Sequence, residues 1–374
     1  MHLAFVSQFD PADVRAYSGI PYYMVRALRK RVDRLSLVPP LQTGGSVQGR
    51  IAKLRHRVRG ERYLRHHTWA GVRPMVAEAS RQIEALKPDA VLSPSTLPLA
   101  GLRASCPTAC WPDATFEANL DFYPGYSGLA DELVNEAHDV EKTALETATL
   151  SLFATEHAAR SATGYYGIDD SKVHVVPYGT NLDPVPTEIE LAIRARESSP
   201  VRLLFVGGDW VRKGGDVALR VAEEMTALGT PTTLTVAGPR PPVASHPLLK
   251  AIGFLHKSIP AEEEHLRRLF RESHFLCMPV RAEDFGCVFA EAAAFGLPSL
   301  TTAIGGMPTT VGDGDAGLLF PFQEQPQVIA KRALDLLASS AYSALCHSAR
   351  AKFERVLNWD TAVDRAVSLL ERAA

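Results

Sequence analysis

The sequence of 374 residues has few cysteines and no long apolar run, and each absence narrows the class of protein. Its five cysteines are scattered and lack metal-ligand spacing, which argues against a disulfide framework and favours a reduced, cytoplasmic setting. No stretch approaches the roughly 20 apolar residues that a membrane-spanning helix needs. The first residues, MHLAFVSQFD, lack the basic and apolar regions of a signal peptide, so we interpret them as a first strand.

Excess charge of either sign is also missing. The formal net charge is −2, with 22% charged and 46% hydrophobic residues. This balance argues against nucleic acid as the main partner and is typical of a soluble globular chain. The length allows about two domains, each with its own core.

Short apolar runs alternate with helical patterns, which indicates an α/β protein with parallel sheets. The predicted strands of the first half are His2–Ser7, Ala90–Ser93, Thr149–Ala154 and Val173–Pro177. Those of the second half are Arg202–Val206, Thr233–Ala237, Phe275–Met278, Ser299–Thr301 and Gly317–Phe320.

A proline-containing polar stretch, residues 181–200, separates the two halves and is typical of a linker. After it, VRLLFVGGDWVRKGG begins the strand–loop–helix pattern again. We therefore predict two Rossmann-like, doubly wound domains, residues 1–182 and 183–358, facing each other across a ligand-binding cleft. Residues 359–374 have the apolar spacing of a packing helix that can return to the first domain.

The strongest candidate site is the stretch EDFGCVFAE, in which Glu283 precedes a predicted helix and Glu291 lies inside it. Gly286 is placed at the start of that helix, where unpaired N–H groups and the positive dipole end favour an anion such as a diphosphate. The two carboxylates are good acceptors for sugar hydroxyls. A simpler alternative is that the acids only complement the helix dipole, worth about 0.3–1 kcal/mol each.

Two further glycine-bearing loops follow predicted strands. Gly207 and Gly208 lead to Lys213 at the start of the next helix, and Gly305-Gly306 follow a later strand. Lys213 is a natural phosphate counter-ion in such a loop, although a solvated surface lysine gives the same pattern. The chain has no P-loop sequence. Loops that follow parallel strands lie at one edge of the sheet, so we expect these three to converge on one crevice.

Taken together, these motifs resemble the C-terminal domain of a family 4 glycosyltransferase, a retaining enzyme of the GT-B fold. The matching features, in family order, are the Lys213-Gly214 loop, Glu283-x7-Glu291 with Phe285-Gly286 inside it, the following EAAAFGLP, and Gly305-Gly306. The first half is similar more loosely, at Ser18-Gly19-Ile20 and at residues 175–181, where Tyr178 stands in place of the family's asparagine.

The resemblance implies a role for each matching residue. Glu291 would hold the nucleotide ribose, Glu283 the hydroxyls of the donor sugar, and Lys213 the leaving diphosphate. Gly19 would let the backbone approach the diphosphate without a Cβ clash, and residues 254–257 would frame the base. The remaining donor-binding residues are Gly208, Arg212, Asp284, Phe285, Gly286, Cys287 and Val288.

The sequence departs from the family at two positions. Many relatives have a diphosphate-binding arginine where this chain has Gly208, and Arg212 either supplies that charge or is a surface residue. Many relatives also have a histidine near the reacting carbon, and Asp113 stands at that position. Asp113 either contacts the donor sugar and stabilises positive charge at its anomeric carbon, or forms a turn after Pro112.

The expected activity is transfer of a hexosyl unit, with retention, from a UDP- or GDP-sugar to a hydroxyl of a glycan, glycolipid or small-molecule acceptor. Asp113, Lys213 and Glu283 are the predicted catalytic residues, and no metal or other cofactor is expected because cationic side chains and helix dipoles act on the leaving group. A nucleotide-sugar epimerase of the same fold and a non-catalytic partner subunit that binds a nucleotide sugar are the alternatives.

Residues 50–73 are rich in arginine and histidine and have a thin apolar stripe at helical spacing. They indicate an amphipathic helix on the inner face of a membrane, a pocket for an anionic acceptor, or simply a solvated helix face. The aromatic loop 121–126 could stack on an acceptor sugar or pack in a core.

Overall fold

The computed structural model describes residues 1–41, 56, 58, 60–187, 200–243 and 245–373. They form two compact units, Met1–Tyr178 with Trp359–Ala374, and Gly179–Asn358. The predicted linker is described over 181–187 and at 200, and its residues 188–199 lie outside the described part. The basic segment is described at 56, at 58 and over 60–73, and its other positions likewise lie outside.

The first unit contains a parallel six-stranded sheet in the order β2-β1-β3-β4-β5-β6. Its central strands consist almost entirely of buried residues, as expected for a sheet covered by helices on both faces. The strands are β1 (His2–Phe5), β2 (Arg34–Leu37), β3 (Ala90–Ser93), β4 (Thr108–Cys110), β5 (Leu150–Phe153) and β6 (Val173–Val175). The helices are α1 (Ile20–Arg31), α2 (Trp69–Leu86), α3 (Phe116–Asn119), α4 (Asp131–Thr147) and α5 (Glu156–Gly164).

The second unit contains another parallel six-stranded sheet, in the order β12-β11-β10-β7-β8-β9. Its strands are β7 (Val201–Val206), β8 (Thr232–Ala237), β9 (Leu249–Gly253), β10 (Phe275–Cys277), β11 (Ser299–Thr302) and β12 (Gly317–Phe320). Its helices are α6 (Gly215–Ala227), α7 (Pro260–Glu272), α8 (Cys287–Ala294), α9 (Met307–Thr310), α10 (Pro326–Leu337) and α11 (Ala341–Arg355).

The last helix, α12 (Trp359–Ala373), belongs to the first unit, where it packs against α1. Its buried side chains recur at helical spacing, at Ala362, Val363, Ala366, Val367 and Leu370. Arg31 on α1 pairs with Asp364 at 2.8 Å. None of the described helices has the length and apolar character needed to cross a membrane.

The predicted α/β class with parallel sheets is confirmed, and every predicted strand has a counterpart. Three strands were not predicted. Two of them, β2 and β9, lie at sheet edges and are largely exposed, so they lack a buried apolar run. The third, β4, consists of Thr108, Ala109 and Cys110, which lack the large apolar side chains of the predicted strands.

Cationic side chains donate hydrogen bonds to residues 181–187. We call these residues the crossing segment, because they come just after the point where the chain leaves the first unit and enters the second. Lys257 Nζ donates to the carbonyl of Asn181 at 3.0 Å. Arg267 donates to the carbonyl of Pro184 at 2.7 Å, and Arg350 to that of Pro186 at 3.0 Å. Charge-assisted bonds of this kind stabilise a stretch outside any sheet.

A buried carboxyl group lies in the core of the first unit. Glu141 on α4 is 1% exposed, and its Oε2 accepts a hydrogen bond of 2.6 Å from the Thr96 hydroxyl. Burial raises the pKa of Glu141 to about 7, although the Thr96 hydroxyl and the nearby Phe116 backbone favour the ionised form and oppose the shift.

We predict that Glu141 makes the first unit less stable as the pH rises. The pKa of Glu141 in the folded state lies above its usual 4.5, so the unfolded state loses this proton at a lower pH than the folded state does. The contribution of Glu141 to the free energy of unfolding is therefore complete below pH 4.5, and about 3 kcal/mol of it is lost as the pH rises through 7. In Glu141→Gln this loss should disappear, which urea unfolding at pH 5 and pH 8 would measure. The exposed Glu84→Gln is the control, and an unchanged pH dependence in Glu141→Gln would contradict the prediction.

Candidate functional site

The candidate site of the second unit lies where its strand order reverses. The chain fills the sheet outward from β7 to β8 and β9 on one side, then returns to add β10, β11 and β12 on the other. In doubly wound sheets, ligands bind at such a point, against the loops that leave the carboxyl ends of the two strands, here β7 and β10. Residues 207–214 follow β7, and residues 279–286 follow β10.

The predicted glycine loops are hydrogen-bonded to one another. The N–H of Arg281 donates to the carbonyl of Arg212 at 2.7 Å, and the N–H of Gly306 donates to that of Glu283 at 3.2 Å. Arg281 also forms a two-pronged ion pair with Asp216 on α6, at 2.8 and 2.7 Å. These bonds fix the loops after β7, β10 and β11 as one assembly.

Glu283 is the centre of a buried charge cluster. Lys213 Nζ donates to its Oε2 at 2.7 Å, and Arg212 Nη1 approaches the same oxygen at 3.3 Å. Arg212 also donates to the carbonyl of Ala282 at 2.6 Å. The three side chains are only 10 to 17% exposed, so neither cation is a solvated surface residue. Burial alone would raise the pKa of Glu283, but the two cations outweigh it, and the pKa is lowered.

Gly207 makes room for the lysine. A Cβ atom at Gly207 would lie 2.3 Å from Cδ of Lys213, so the aliphatic part of the lysine passes directly over the glycine backbone. At Gly208 a Cβ would meet nothing within 4 Å, and this residue is exposed. Glycine is therefore required for the lysine conformation at 207 and leaves open space at 208.

Gly286 caps the start of α8 in a left-handed conformation, with φ of 66°. A Cβ there would lie 2.7 Å from the Phe289 ring and 3.0 Å from Cγ of Glu283, so both φ and space require glycine. Cys287 and Val288 supply the first backbone amides of α8, which lie at the positive end of the helix dipole. The preceding Asp284 and Phe285 are buried, at 2 and 1% exposure.

Glu291, on the second turn of α8, is 3% exposed and pairs with Lys257 through its Oε1. Lys257 follows β9, the edge strand that the sequence did not reveal. Burial raises the pKa of Glu291, and the charge of Lys257 only partly opposes this. The two predicted glutamates thus have different surroundings, one held ionised by two cations and one buried beside a single lysine.

In the first unit, the structure brings the Gly19 turn to Asp113. Tyr17, Ser18 and Gly19 all have left-handed backbone angles and lead into α1. The Tyr17 hydroxyl donates a hydrogen bond to Asp113, which follows β4, and the Tyr17 ring stacks on Phe9. Burial and the charge of Asp113 raise the pKa of Tyr17 well above its ordinary value, so the hydroxyl keeps its proton. Sequence reasoning missed Tyr17, because nothing in its neighbours along the chain marks it.

Two of the solved structures that resemble this chain illustrate the class of fold. Sucrose-phosphate synthase from Thermosynechococcus elongatus has a TM-score of 0.71 at 17% identity, over 100% of this chain and 98% of that chain. Anabaena HepE, solved in complex with UDP and glucose, has a TM-score of 0.64 at 14% identity, over 99% of each chain. The fold of this protein is that of the GT-B glycosyltransferases.

Sequence comparison finds a more specific similarity, which lies in the second unit. Residues 200–339 match the family model described as glycosyl transferases group 1, a range that includes the whole charge cluster and Lys257 with Glu291. The D-inositol 3-phosphate glycosyltransferase of Xylanimonas cellulosilytica is 30% identical over 247 residues, which are 59% of this chain and 56% of that protein. The chain thus spans about half the length of the curated relatives it matches.

We predict that Lys213 and Glu283 stabilise the second unit as a pair. Lys213→Met should lower the free energy of unfolding by about 3 kcal/mol, the lower end for a broken buried pair because Arg212 remains. The loss should grow as the pH rises. Without Lys213, burial raises the pKa of Glu283 in the folded state, so ionisation of this carboxyl group at higher pH favours the unfolded state.

The test is a double-mutant cycle with Glu283→Gln, measured by urea unfolding. The double variant should lose less free energy of unfolding than the two single variants lose together, by at least about 1 kcal/mol. Strictly additive losses would show that the two side chains do not interact.

Proposed function

We propose that this protein is a retaining family 4 glycosyltransferase that transfers a hexosyl unit from a UDP- or GDP-sugar to an acceptor hydroxyl. The observation that carries the proposal is the cluster of Lys213, Arg212 and Glu283 beside the glycine-capped start of α8. It combines cations for a diphosphate with a carboxylate for sugar hydroxyls, at the switch point of a doubly wound sheet.

The diphosphate leaving group is assigned to the cations and the helix start. Lys213 and Arg212 neutralise the charge that develops when the bond to the anomeric carbon breaks, and the amides from Gly286 to Val288 donate to phosphate oxygens. Because these groups supply positive charge in a fixed arrangement, we propose that the reaction needs no metal or other cofactor. Gly208, exposed and without a side chain, leaves space for the ligand beside them.

The two glutamates bind different parts of the donor. Glu283, relieved of part of its cation contacts by the incoming diphosphate, accepts hydrogen bonds from hydroxyls of the transferred sugar. Glu291, on the second turn of α8, accepts hydrogen bonds from the hydroxyls of the ribose. Because Glu283 lies in the loop and Glu291 lies inside the helix, the two carboxylates are assigned to two different sugars of one nucleotide sugar.

The first unit supplies the Gly19 turn and Asp113. Gly19 lets the backbone approach the diphosphate, and Asp113, oriented by the Tyr17 hydroxyl, stabilises positive charge at the anomeric carbon. The acceptor hydroxyl attacks from the face that the diphosphate leaves, and a leaving phosphate oxygen takes its proton. The configuration at the anomeric carbon is thereby retained.

The comparisons suggest where to begin with substrates. Anabaena HepE was solved in complex with UDP and glucose, so UDP-glucose is the first donor to test. D-inositol 3-phosphate is in the names of the curated relatives, so a phosphorylated polyol is the first acceptor. A cytoplasmic location, with peripheral contact to the inner membrane face through residues 50–73, is also part of the proposal.

We predict that a nucleoside diphosphate stabilises the folded protein, because it binds the folded state alone. UDP, GDP, ADP and dTDP would be compared by thermal unfolding, and the cognate one at 100 times its Kd should add about 2.7 kcal/mol. Slow hydrolysis of the corresponding nucleotide sugar, with release of the nucleoside diphosphate, would then exclude a non-catalytic subunit. Formation of an epimerised sugar without any acceptor would favour an epimerase. If no nucleoside diphosphate changed the thermal unfolding, the proposal would be refuted.

We further predict that Gly207→Ala lowers kcat/KM for donor hydrolysis or transfer by about tenfold or more. The added methyl group displaces Lys213 from Glu283 and from the leaving diphosphate, which removes stabilisation of the transition state. Gly164→Ala, at an exposed site where a Cβ meets nothing within 4 Å, is the matched control. Equal activity of the two variants would show that the position of Lys213 is unimportant.

A further inference from the structure

The sequence analysis placed Lys257 only in the stretch 254–257 that would frame the base, yet its side chain contacts one of the two site glutamates. It follows β9 and extends toward α8, where its Nζ donates to Oε1 of Glu291. The same ammonium group donates to the carbonyl of Asn181 at 3.0 Å. Across the described residues, no other cation is hydrogen-bonded to Glu291.

The surroundings of Glu291 explain why a partner is needed. Its side chain is 4% exposed, against 24% for Lys257. Burial raises the pKa of Glu291, as does the charge of Glu263 at the start of α7, while Lys257 and the more distant Lys213 lower it. A buried carboxylate without such a partner takes up a proton and becomes a weaker acceptor.

Lys257 differs from the other cations that hold the crossing segment. Arg267 and Arg350 also donate to carbonyls of that segment, but neither is hydrogen-bonded to Glu291. Lys257 alone among these three connects the segment to a predicted ligand-binding carboxylate. A contact that served only to hold the segment would not require the buried acid.

We propose that Lys257 is a positioning residue that orients the Glu291 carboxylate from the protein side, so that its remaining acceptor sites receive the ribose hydroxyls of the donor. This inference rests on the proposed function, in which Glu291 binds the ribose. An ionised carboxylate has about four lone-pair sites, so an ammonium group on one oxygen leaves acceptors for two vicinal hydroxyls. The Asn181 carbonyl fixes the lysine in turn.

The test measures recognition of the ribose directly. Binding of UDP, GDP and ADP and of their 2′-deoxy counterparts would be measured by calorimetry at pH 6.5, 7.5 and 8.5. The ratio of the two Kd values isolates the 2′-hydroxyl contact from the diphosphate contacts. The variants are Lys257→Met, the charge-free donor Lys257→Gln, the conservative Lys257→Arg, and Arg267→Met as a control that loses a bond to the same segment.

In the wild type, loss of the 2′-hydroxyl should weaken binding about tenfold or more, as for a hydrogen bond to a charged group. In Lys257→Met and Lys257→Gln this ratio should fall toward one, and more so at pH 6.5 than at pH 8.5, because a higher pH favours the ionised carboxylate of Glu291. Lys257→Arg should restore the ratio, and Arg267→Met should keep it.

Two results would overturn the inference. One is a ratio of Kd values in both charge-free variants that equals the wild-type ratio at every pH. The other is a fall of this ratio in Arg267→Met as large as that in Lys257→Met, which would indicate a purely structural effect. If the wild type binds none of the three nucleotides, the proposed function itself fails and the inference fails with it.

Discussion

The site of the second unit depends on one buried interaction, the contact of Glu283 with Lys213 and Arg212. A buried carboxylate without a partner would be strongly destabilising at this position, and two cations from the neighbouring loop compensate its charge. The pairing also ties the loop after β7 to the loop after β10, across the point where the strand order reverses. Gly207 and Gly286 are then required, because a side chain at either position would collide with a member of the cluster.

The fold explains why these residues meet. Residues 213 and 283 are far apart in sequence, but β7 and β10 are neighbours in the sheet, with Leu203 paired to Phe275. Parallel strands place the following loops at the same edge, so that a glycine loop from one strand and an acidic loop from the next come together. The same rule in the first unit brings the turn before α1 to Asp113 after β4.

Sequence reasoning reached the fold class and most strands because buried parallel strands consist of continuous apolar residues. It also singled out Gly207, Lys213, Glu283, Gly286 and Glu291, since glycine turns and charged residues stand out beside such strands. It could not find β2 and β9, whose edge positions leave them largely exposed and without a buried apolar run, nor β4, which lacks large apolar side chains. Lys257 was missed as a partner of Glu291 for the same reason, because it follows β9. Tyr17 acts through a contact 96 positions away, and local patterns carry no trace of such a contact.

The pairing of each site acid with a lysine has a consequence for selectivity. Lys213 and Lys257 each have a carboxylate partner, which compensates much of the positive charge of the site, so small anions are attracted less strongly. Inorganic phosphate or sulfate could draw Lys213 away only by leaving Glu283 with fewer partners. A ligand that brings hydroxyl donors together with its negative charge can satisfy the acids and the lysines at once. Discrimination against bare anions, which are abundant in any cell, is thus built into the resting arrangement of charges.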